Sequence, residues 1–346
     1  MLKENKMRKG LDRRDIILAG LWLIFLFFFS GPAEFLNAVP AGLSEKYIMV
    51  EGKPFIIKGA AYTLSYPERN HYTQIPVDVF AKDLKMMKEA GINTIKTYDV
   101  PPPFFLDLVE EYGLKIIVQV DYVGYWTKYN SAKERKAVIE EAVLNVKANK
   151  DRKCILMWAI WNDAPFIYNV NSRDVVDEFG MAKVNSFLKA VYLAVKKADP
   201  SRPITGSNML NFNGSSLGFD FLDVISFNAY FGITDWNKGK FDPEKARDTV
   251  VQIRNLTAPY KKPVLISETG YSTYHTELDQ GTVLKEQVRA IGTNFSGVVI
   301  FQWSDEWGKA GNYSVHDNNI EEHWGILDGY RNPKTGYQAL KALWGK

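Results

Sequence analysis

The run Cys154-Ile155-Leu156-Met157-Trp158-Ala159-Ile160-Trp161-Asn162-Asp163 carries the reading of the fold. Up to Trp161 it is apolar without alternation, the pattern of a strand covered on both faces, as in a parallel sheet. It stops at an amide and a carboxylate, followed by Ala164-Pro165. Folds of the α/β class place chemistry just past the carboxyl ends of such strands. By itself the run also reads as a buried strand closed by an Asn-Asp turn, so its meaning depends on what flanks it.

On both sides the pattern alternates between strand and helix. Upstream, Met49–Phe55 predicts a hairpin around Gly52, and Phe55–Tyr62 a strand. Val77–Ala90 predicts a helix with Phe80, Leu84 and Met87 inward and Lys82, Lys85 and Lys88 outward, closed by Gly91. Strand Asn93–Thr97, helix Phe104–Tyr112, strand Lys115–Val120 and helix Ala132–Ala148 lead to the opening run. Downstream come helix Ala182–Ala198, strands Pro203–Ser207 and Asp223–Phe227, helix Pro243–Leu256 and strand Pro263–Ser267. Helix Leu284–Thr293, strand Gly297–Gln302 and helix Gly336–Leu343 complete the series. Only the fifth and sixth strands lack a clear helix between them. About eight strand–helix units over roughly 300 residues suit an α/β chain folded as a (β/α)₈ TIM barrel, whose typical size is ~250 residues. A doubly wound open sheet is the competitor, and no glycine-rich phosphate turn follows the first strand to support it.

The barrel is expected over residues 46–346, leaving 1–45 outside the fold as a signal peptide or membrane anchor with a linker. Lys3, Lys6, Arg8, Lys9, Arg13 and Arg14 precede the apolar Ile16–Phe29, which fits a secretory leader. A cut after Ala41 would have Val39 and Ala41 as its small residues. A spanning helix needs roughly 20 apolar residues, so an anchor would also have to immerse Ser30–Ala33. The positive-inside bias puts the barrel outside the cytoplasm in both cases, secreted or membrane-anchored.

Composition narrows the partners. The net charge of +3 leaves no basic stripe for nucleic acid. Nine Trp, 18 Tyr and 20 Phe supply aromatic faces suited to sugar rings as well as to a core. The one cysteine, Cys154, sits in an apolar strand and reads as a small core residue. No cofactor motif is present. His316-Asp317 and Glu321-Glu322-His323 match no standard metal-ligand spacing and read as a loop beside the cleft.

A barrel collects its active residues at the strand ends. There the sequence offers Tyr62; Lys96, Tyr98 and Asp99; Asp121, Tyr122, Tyr125 and Trp126; Asn162 and Asp163; Asn208; Asn228 and Tyr230; Glu268; and Trp303, Asp305, Glu306 and Trp307. An aromatic and acidic rim suits carbohydrate. Retaining glycoside hydrolysis requires two carboxylates ~5–5.5 Å apart, one nucleophile and one acid/base. Strands four and seven face each other across an eight-stranded mouth, which makes Asp163 and Glu268 the natural pair. Asp305 and Glu306 are better placed to bind sugar hydroxyls or to buttress the rim.

Over residues 47–346 the chain resembles glycoside hydrolase clan A, the retaining (β/α)₈ glycosidases. Val50–Gly59 is similar to the entry of family 2 and family 5 barrels, and Trp161-Asn162-Asp163 to the clan's Asn-Glu. Ile266–Tyr271 resembles the nucleophile motif of families 2 and 17. Asp223–Tyr230 and Phe301–Trp307 resemble the sixth and eighth strands of family 2, which is the nearest overall. The resemblance implies Glu268 as nucleophile, Asp163 as acid/base, Asn162 on the sugar 2-hydroxyl, Tyr230 bonded to the nucleophile and Trp303 flooring the site. Tyr62, Lys96, Trp126, Asn228 and Glu306 complete the expected sugar-binding set.

The chain departs from the clan twice. Asp163 stands for Glu, withdrawing the carboxylate by about 1.5 Å where a misplacement near 1 Å can cost on the order of 10²-fold. Lys96 stands for Arg, and the two are not equivalent where a planar fork is needed. The expected function is a retaining β-glycosidase or transglycosylase acting outside the cytoplasm on a β-glucan-type polysaccharide. A catalytically weakened glycan-binding protein on the same barrel is the alternative.

Overall fold

The computed structural model describes residues 42–120, 131–163, 179–210, 216–236, 238–274, 278–309 and 319–345. The leader or anchor segment, Trp126 and the pair His316-Asp317 lie outside them.

Alternation of side chains across a strand decides what fills the centre. In strand β4 (Ile57–Ala61), Ile57 and Ala61 face the axis, and in β6 (Lys115–Gln119) Ile117 does. In β7 (Ile155–Ala159) it is Met157 and Ala159. The intervening Ile116, Val118 and Trp158 point outward into the layer between strands and helices. Both faces are therefore apolar and the strands read as continuous hydrophobic runs. Together with β5 (Thr94–Thr97), β8 (Ile204–Met209), β9 (Val224–Asn228), β12 (Val264–Thr269) and β13 (Gly297–Ile300), these strands close into one parallel barrel. Its order is β4-β5-β6-β7-β8-β9-β12-β13, with β13 returning to β4 through Gly297↔Ile57 and Ile300↔Ala60.

Helices α1 (Val77–Glu89), α2 (Pro103–Glu111), α3 (Ala132–Asn149), α4 (Met181–Ala198), α5 (Pro243–Thr257), α6 (Gln280–Ile291) and α7 (Thr335–Trp344) surround it. Side-chain caps start several of them: Ser131 accepts from Glu134 N, Asp242 from Glu244 N and Asp279 from Thr282 N. The Asp279 cap opens α6 one turn earlier than the apolar pattern predicts. Below the barrel, β1 (Gly42–Leu43), β2 (Ile48–Val50) and β3 (Lys53–Phe55) form a small antiparallel sheet. Gly42 and Leu43 pair with Met49 and Ile48, so this small sheet draws on the segment set aside as 1–45. A hairpin that the pattern does not announce, β10 (Ile233–Asp235) with β11 (Lys240–Phe241), follows the sixth barrel strand.

Cys154 is buried beside the Leu106 carbonyl, and burial pushes its thiol up to about 12. One buried cluster ties the first strand to the end of the chain. Arg331 donates to both oxygens of Asp83 at 3.0 Å and to the Ser65 carbonyl at 2.8 Å, and the Tyr62 hydroxyl donates to Asp83 at 2.7 Å.

Candidate active site

The carboxyl ends of the barrel strands frame a cleft of about 370 Å³, inside the ~300–1,000 Å³ range of ligand sites. Glu268, the last residue but one of β12, stands at its base and is only 4% exposed. Lys96 reaches it from across the barrel interior. Its Nζ lies 2.7 Å from Glu268 Oε1, 2.9 Å from Asn162 Oδ1 and 3.4 Å from the Ser267 carbonyl. All three ammonium hydrogens are thus spoken for, and Lys96, 1% exposed, orients Glu268 from below. The Tyr98 hydroxyl donates to the same Oε1 at 2.7 Å and the Tyr230 hydroxyl to Oε2 at 3.1 Å. Burial, then the Glu268 charge, holds both phenols well above their ordinary range, so both remain donors.

Asp163 occupies the opposite wall, just past β7. Its backbone is left-handed, with φ of 55°, a conformation that aspartate tolerates better than most residues. Its Oδ2 accepts from Asn162 Nδ2 and its Oδ1 from Asn228 Nδ2, both at 2.6 Å. The Ser267 hydroxyl donates to Asn228 Oδ1 at 2.8 Å, which fixes the orientation of that amide. Asn228 spends its other N–H on Asn162 Oδ1 at 3.1 Å. Burial, reinforced by the charge of Glu268, raises the Asp163 carboxyl to about 6, against the lowering pull of Lys96 and the Asn228 bond.

Further up, Glu306 lines the cleft and pairs with Lys309 at 3.2 Å; Glu321 lies 3.8 Å from the same ammonium. Burial pulls the Lys309 ammonium down, but Glu306 and Glu321 outweigh it and the net shift is upward. Lys309 also sits 4.4 Å over the Phe301 ring. Asp305 turns away and is held by Lys334 at 2.6 Å and by Gly325 N, buttressing the rim. Aromatic walls come from Phe301, Trp324 and Trp236, with Trp236 and Trp324 at 4.9 Å and 37°.

Several expectations require correction. Tyr62 does not face the cleft. It is the residue after β4, and alternation from Ala61 turns it outward among Phe80, Phe105 and Asp83. Trp303 does not floor the site either. β13 ends at Ile300, two residues before the expected end, so Phe301 is the ring that enters the cleft while Trp303 packs outward on Tyr337. Asn228 has both amide hydrogens committed and positions Asp163 rather than offering a donor to sugar. Tyr98, two residues beyond Lys96 on the same face, was legible from alternation. Trp324, Lys309 and Glu321 come from the long segment after β13 and carry no periodic signal. Among the described residues no cluster of three His, Cys, Asp or Glu side chains is placed to hold a metal.

Residues 42–346 match the model of the TIM barrel domain of glycosyl hydrolases family 2. The chain belongs to glycosyl hydrolases family 2. The likeness of single motifs to families 5 and 17 is not among these findings. A β-glucuronidase of Chlorocebus aethiops is 25% identical over 254 residues, 70% of this chain and 36% of that protein. A β-galactosidase of Staphylococcus xylosus is 23% identical over 84% of this chain and 29% of that protein. Among solved structures, a β-galacturonidase of Eisenbergiella tayi bound to galacturonate superposes with a TM-score of 0.69 at 22% identity, over 88% of this chain and 54% of that one. A Bifidobacterium dentium β-glucuronidase complexed with coumarin-3-O-glucuronide gives 0.71 at 20% identity, over 88% and 49%. These structures share the family 2 barrel fold, and the chain spans about a third to half the length of these relatives.

Proposed function

We propose that this family 2 barrel is a retaining β-glycoside hydrolase with capacity for glycosyl transfer. The observation that carries the reading is the division of labour between two carboxylates. Glu268 is held by a buried cation and two phenols, while Asp163, across the cleft, sits near 6. Such a split in environment separates a nucleophile from a proton donor. In the first step a Glu268 oxygen attacks the anomeric carbon, the glycosidic bond breaks, and Asp163 gives its proton to the departing oxygen. In the second, Asp163 takes a proton from water or from a sugar hydroxyl. That oxygen attacks the anomeric carbon, and Glu268 leaves as the carboxylate. Asn162 retains one amide hydrogen for a sugar hydroxyl, consistent with a contact to the 2-hydroxyl.

The substrate we favour is a neutral β-glucan-type saccharide. The relatives include enzymes named for uronides and others named for galactosides. Among the described residues, Asp163, Glu268, Glu306 and Glu321 face the cleft, while Lys309 is engaged by Glu306 and Glu321 and Lys96 by Glu268. A uronate carboxylate would enter a cleft that is already acidic among the described residues and whose described cations, Lys96 and Lys309, are neutralised. The rings of Trp324 and Trp236 that line the cleft, tilted at 37° to one another, suit the apolar faces of neutral sugars. The basic start and the Ile16–Phe29 apolar run support an exported barrel, secreted or tethered to a membrane.

The test is turnover of a panel of β-linked glucosides, galactosides and glucuronides, with the anomer of the first product recorded. Glu268→Gln should abolish turnover with retention of configuration in the parent. A Glu268→Gln variant as active as the parent sinks the assignment. One observation favours a second reading, a glycan-binding barrel: both oxygens of Asp163 are taken by amides. Tight oligosaccharide binding without turnover, unchanged by Asp163→Glu, would support that reading, whereas gained turnover in Asp163→Glu would mark a weakened enzyme.

A further inference from the structure

A second hollow of about 830 Å³ opens beside the reaction cleft. The two share Met209, Tyr230, Trp236 and Glu321 as lining, so the hollow adjoins the cleft along these residues. Trp236 stands at the junction, 39% exposed, with its ring 4.8 Å from Tyr230. The far wall is the outer face of α5, where Thr249 and Gln252 line the hollow beside the Lys245–Asp248 ion pair. Polar groups above an aromatic step make a surface for a hydroxylated ring. The hollow also takes in Asn228, whose amide donates to Asp163 at 2.6 Å, whereas Lys96 and Tyr98 on the other side of Glu268 do not reach it.

We infer that this hollow binds saccharide units on the leaving-group side of the scissile bond, and that the same units dock there as acceptors in transfer. The inference deepens the function proposed above and rests on it. The acid/base carboxylate is the group that touches the glycosidic oxygen, and the hollow adjoins that carboxylate through Asn228. A saccharide seated there presents a hydroxyl to the glycosyl–Glu268 ester. The hydroxyl oxygen bonds to the anomeric carbon, its proton passes to Asp163, and the C–O bond to Glu268 breaks to release the carboxylate. No external oxidant or co-reactant is needed.

The experiment uses the full chain, β-linked gluco-oligosaccharides of increasing length, and an aryl β-glucoside that lacks leaving-group sugars. Thr249→Trp fills the hollow from α5. Catalytic efficiency is expected to rise as units are added on the leaving-group side. Thr249→Trp should lower it for the long oligosaccharide about tenfold more than for the aryl glucoside, the equivalent of about one lost stacking contact. It should also lower the ratio of transfer to hydrolysis at high acceptor concentration. A parallel arm measures binding by Glu268→Gln, where the long oligosaccharide should bind more tightly than the disaccharide and Thr249→Trp should erase the difference. Efficiency indifferent to chain length, or an equal loss on both substrates, overturns the inference. Absence of turnover in the parent with length-dependent binding intact would instead overturn the hydrolase reading and leave the saccharide site standing.

Discussion

Replacing Asn228 by alanine removes the hydrogen bond that holds the Asp163 carboxyl down, together with its bonds to Asn162 and Ser267. The amide donates to Asp163 Oδ1 at 2.6 Å and stabilises the ionised carboxylate, opposing the burial and the Glu268 charge that raise it to about 6. A hydrogen bond to a charged group is worth about 1.5–3 kcal/mol, which at about 1.36 kcal/mol per pKa unit is roughly 1–2 units. Without it the Asp163 carboxyl should rise further above its ordinary value. On the proposed mechanism the first step needs Asp163 protonated, so kcat/KM falls as pH climbs through its pKa. The basic limb of the pH profile, near 6 in the parent, should therefore move upward by roughly 1–2 pH units in Asn228→Ala. The assay is kcat/KM for an aryl β-glucoside between about pH 4 and 9, with thermal melting to show that the variant is folded. A limb that stays in place, or moves to lower pH, refutes the assignment of that limb to Asp163.

Lys96→Met should leave Glu268 as a buried charge without its cation and lower kcat on the order of 10²–10³-fold; steady-state kinetics within about twofold of the parent would contradict the positioning role. Asp83→Ala leaves the buried Arg331 without its carboxylate partner and should cost about 3–5 kcal/mol in urea denaturation, with kcat on the folded fraction unchanged because the cluster lies outside the cleft. Asp163 itself should make stability pH-dependent in a defined direction. Its folded-state carboxyl, near 6 against an ordinary 3.8, favours the folded chain when protonated. That contribution is complete below about pH 4 and is lost between about 4 and 6, an order of 3 kcal/mol. Asp163→Asn should remove this part of the pH dependence, read from urea midpoints on either side of the window.

The periodic part of the chain was legible because alternation and helical spacing are local properties. Each of the eight barrel strands begins or ends within two residues of its apolar run, and the run at Ile155 fixed the parallel, doubly covered sheet. What alternation also specifies is side-chain direction, and there the outcome hangs on single residues. Lys96 and Tyr98 share a face, and both reach Glu268. Tyr62 sits one residue past an inward alanine and turns out to the helices. The eighth strand shows how sensitive the reading is: an end placed at Gln302 instead of Ile300 selects Trp303 as the cleft ring, where the chain uses Phe301. Trp324, Glu321 and Lys309 escape such reasoning because an irregular segment brings them back over the mouth through tertiary contacts such as Gln302 N to the Trp324 carbonyl.

The short side chain at Asp163 looks like a defect in the sequence and like a fitted part in the structure. A longer carboxylate is the clan's solution for reaching the glycosidic oxygen. Here the backbone at position 163 swings into the left-handed region, and two amides, from Asn162 and Asn228, meet the two oxygens at 2.6 Å. Those amides are in turn set by Lys96 and Ser267, the first bonded directly to Glu268 and the second its chain neighbour. The two carboxylates are thus joined by one continuous set of hydrogen bonds through Asn162 and Lys96. Moving either carboxylate disturbs the donors of the other. Such coupling makes the aspartate and the lysine a matched pair of departures, since the slender ammonium can serve Glu268, Asn162 and the Ser267 carbonyl at once. A planar guanidinium, with its donors fixed in a fork, would address that triangle differently.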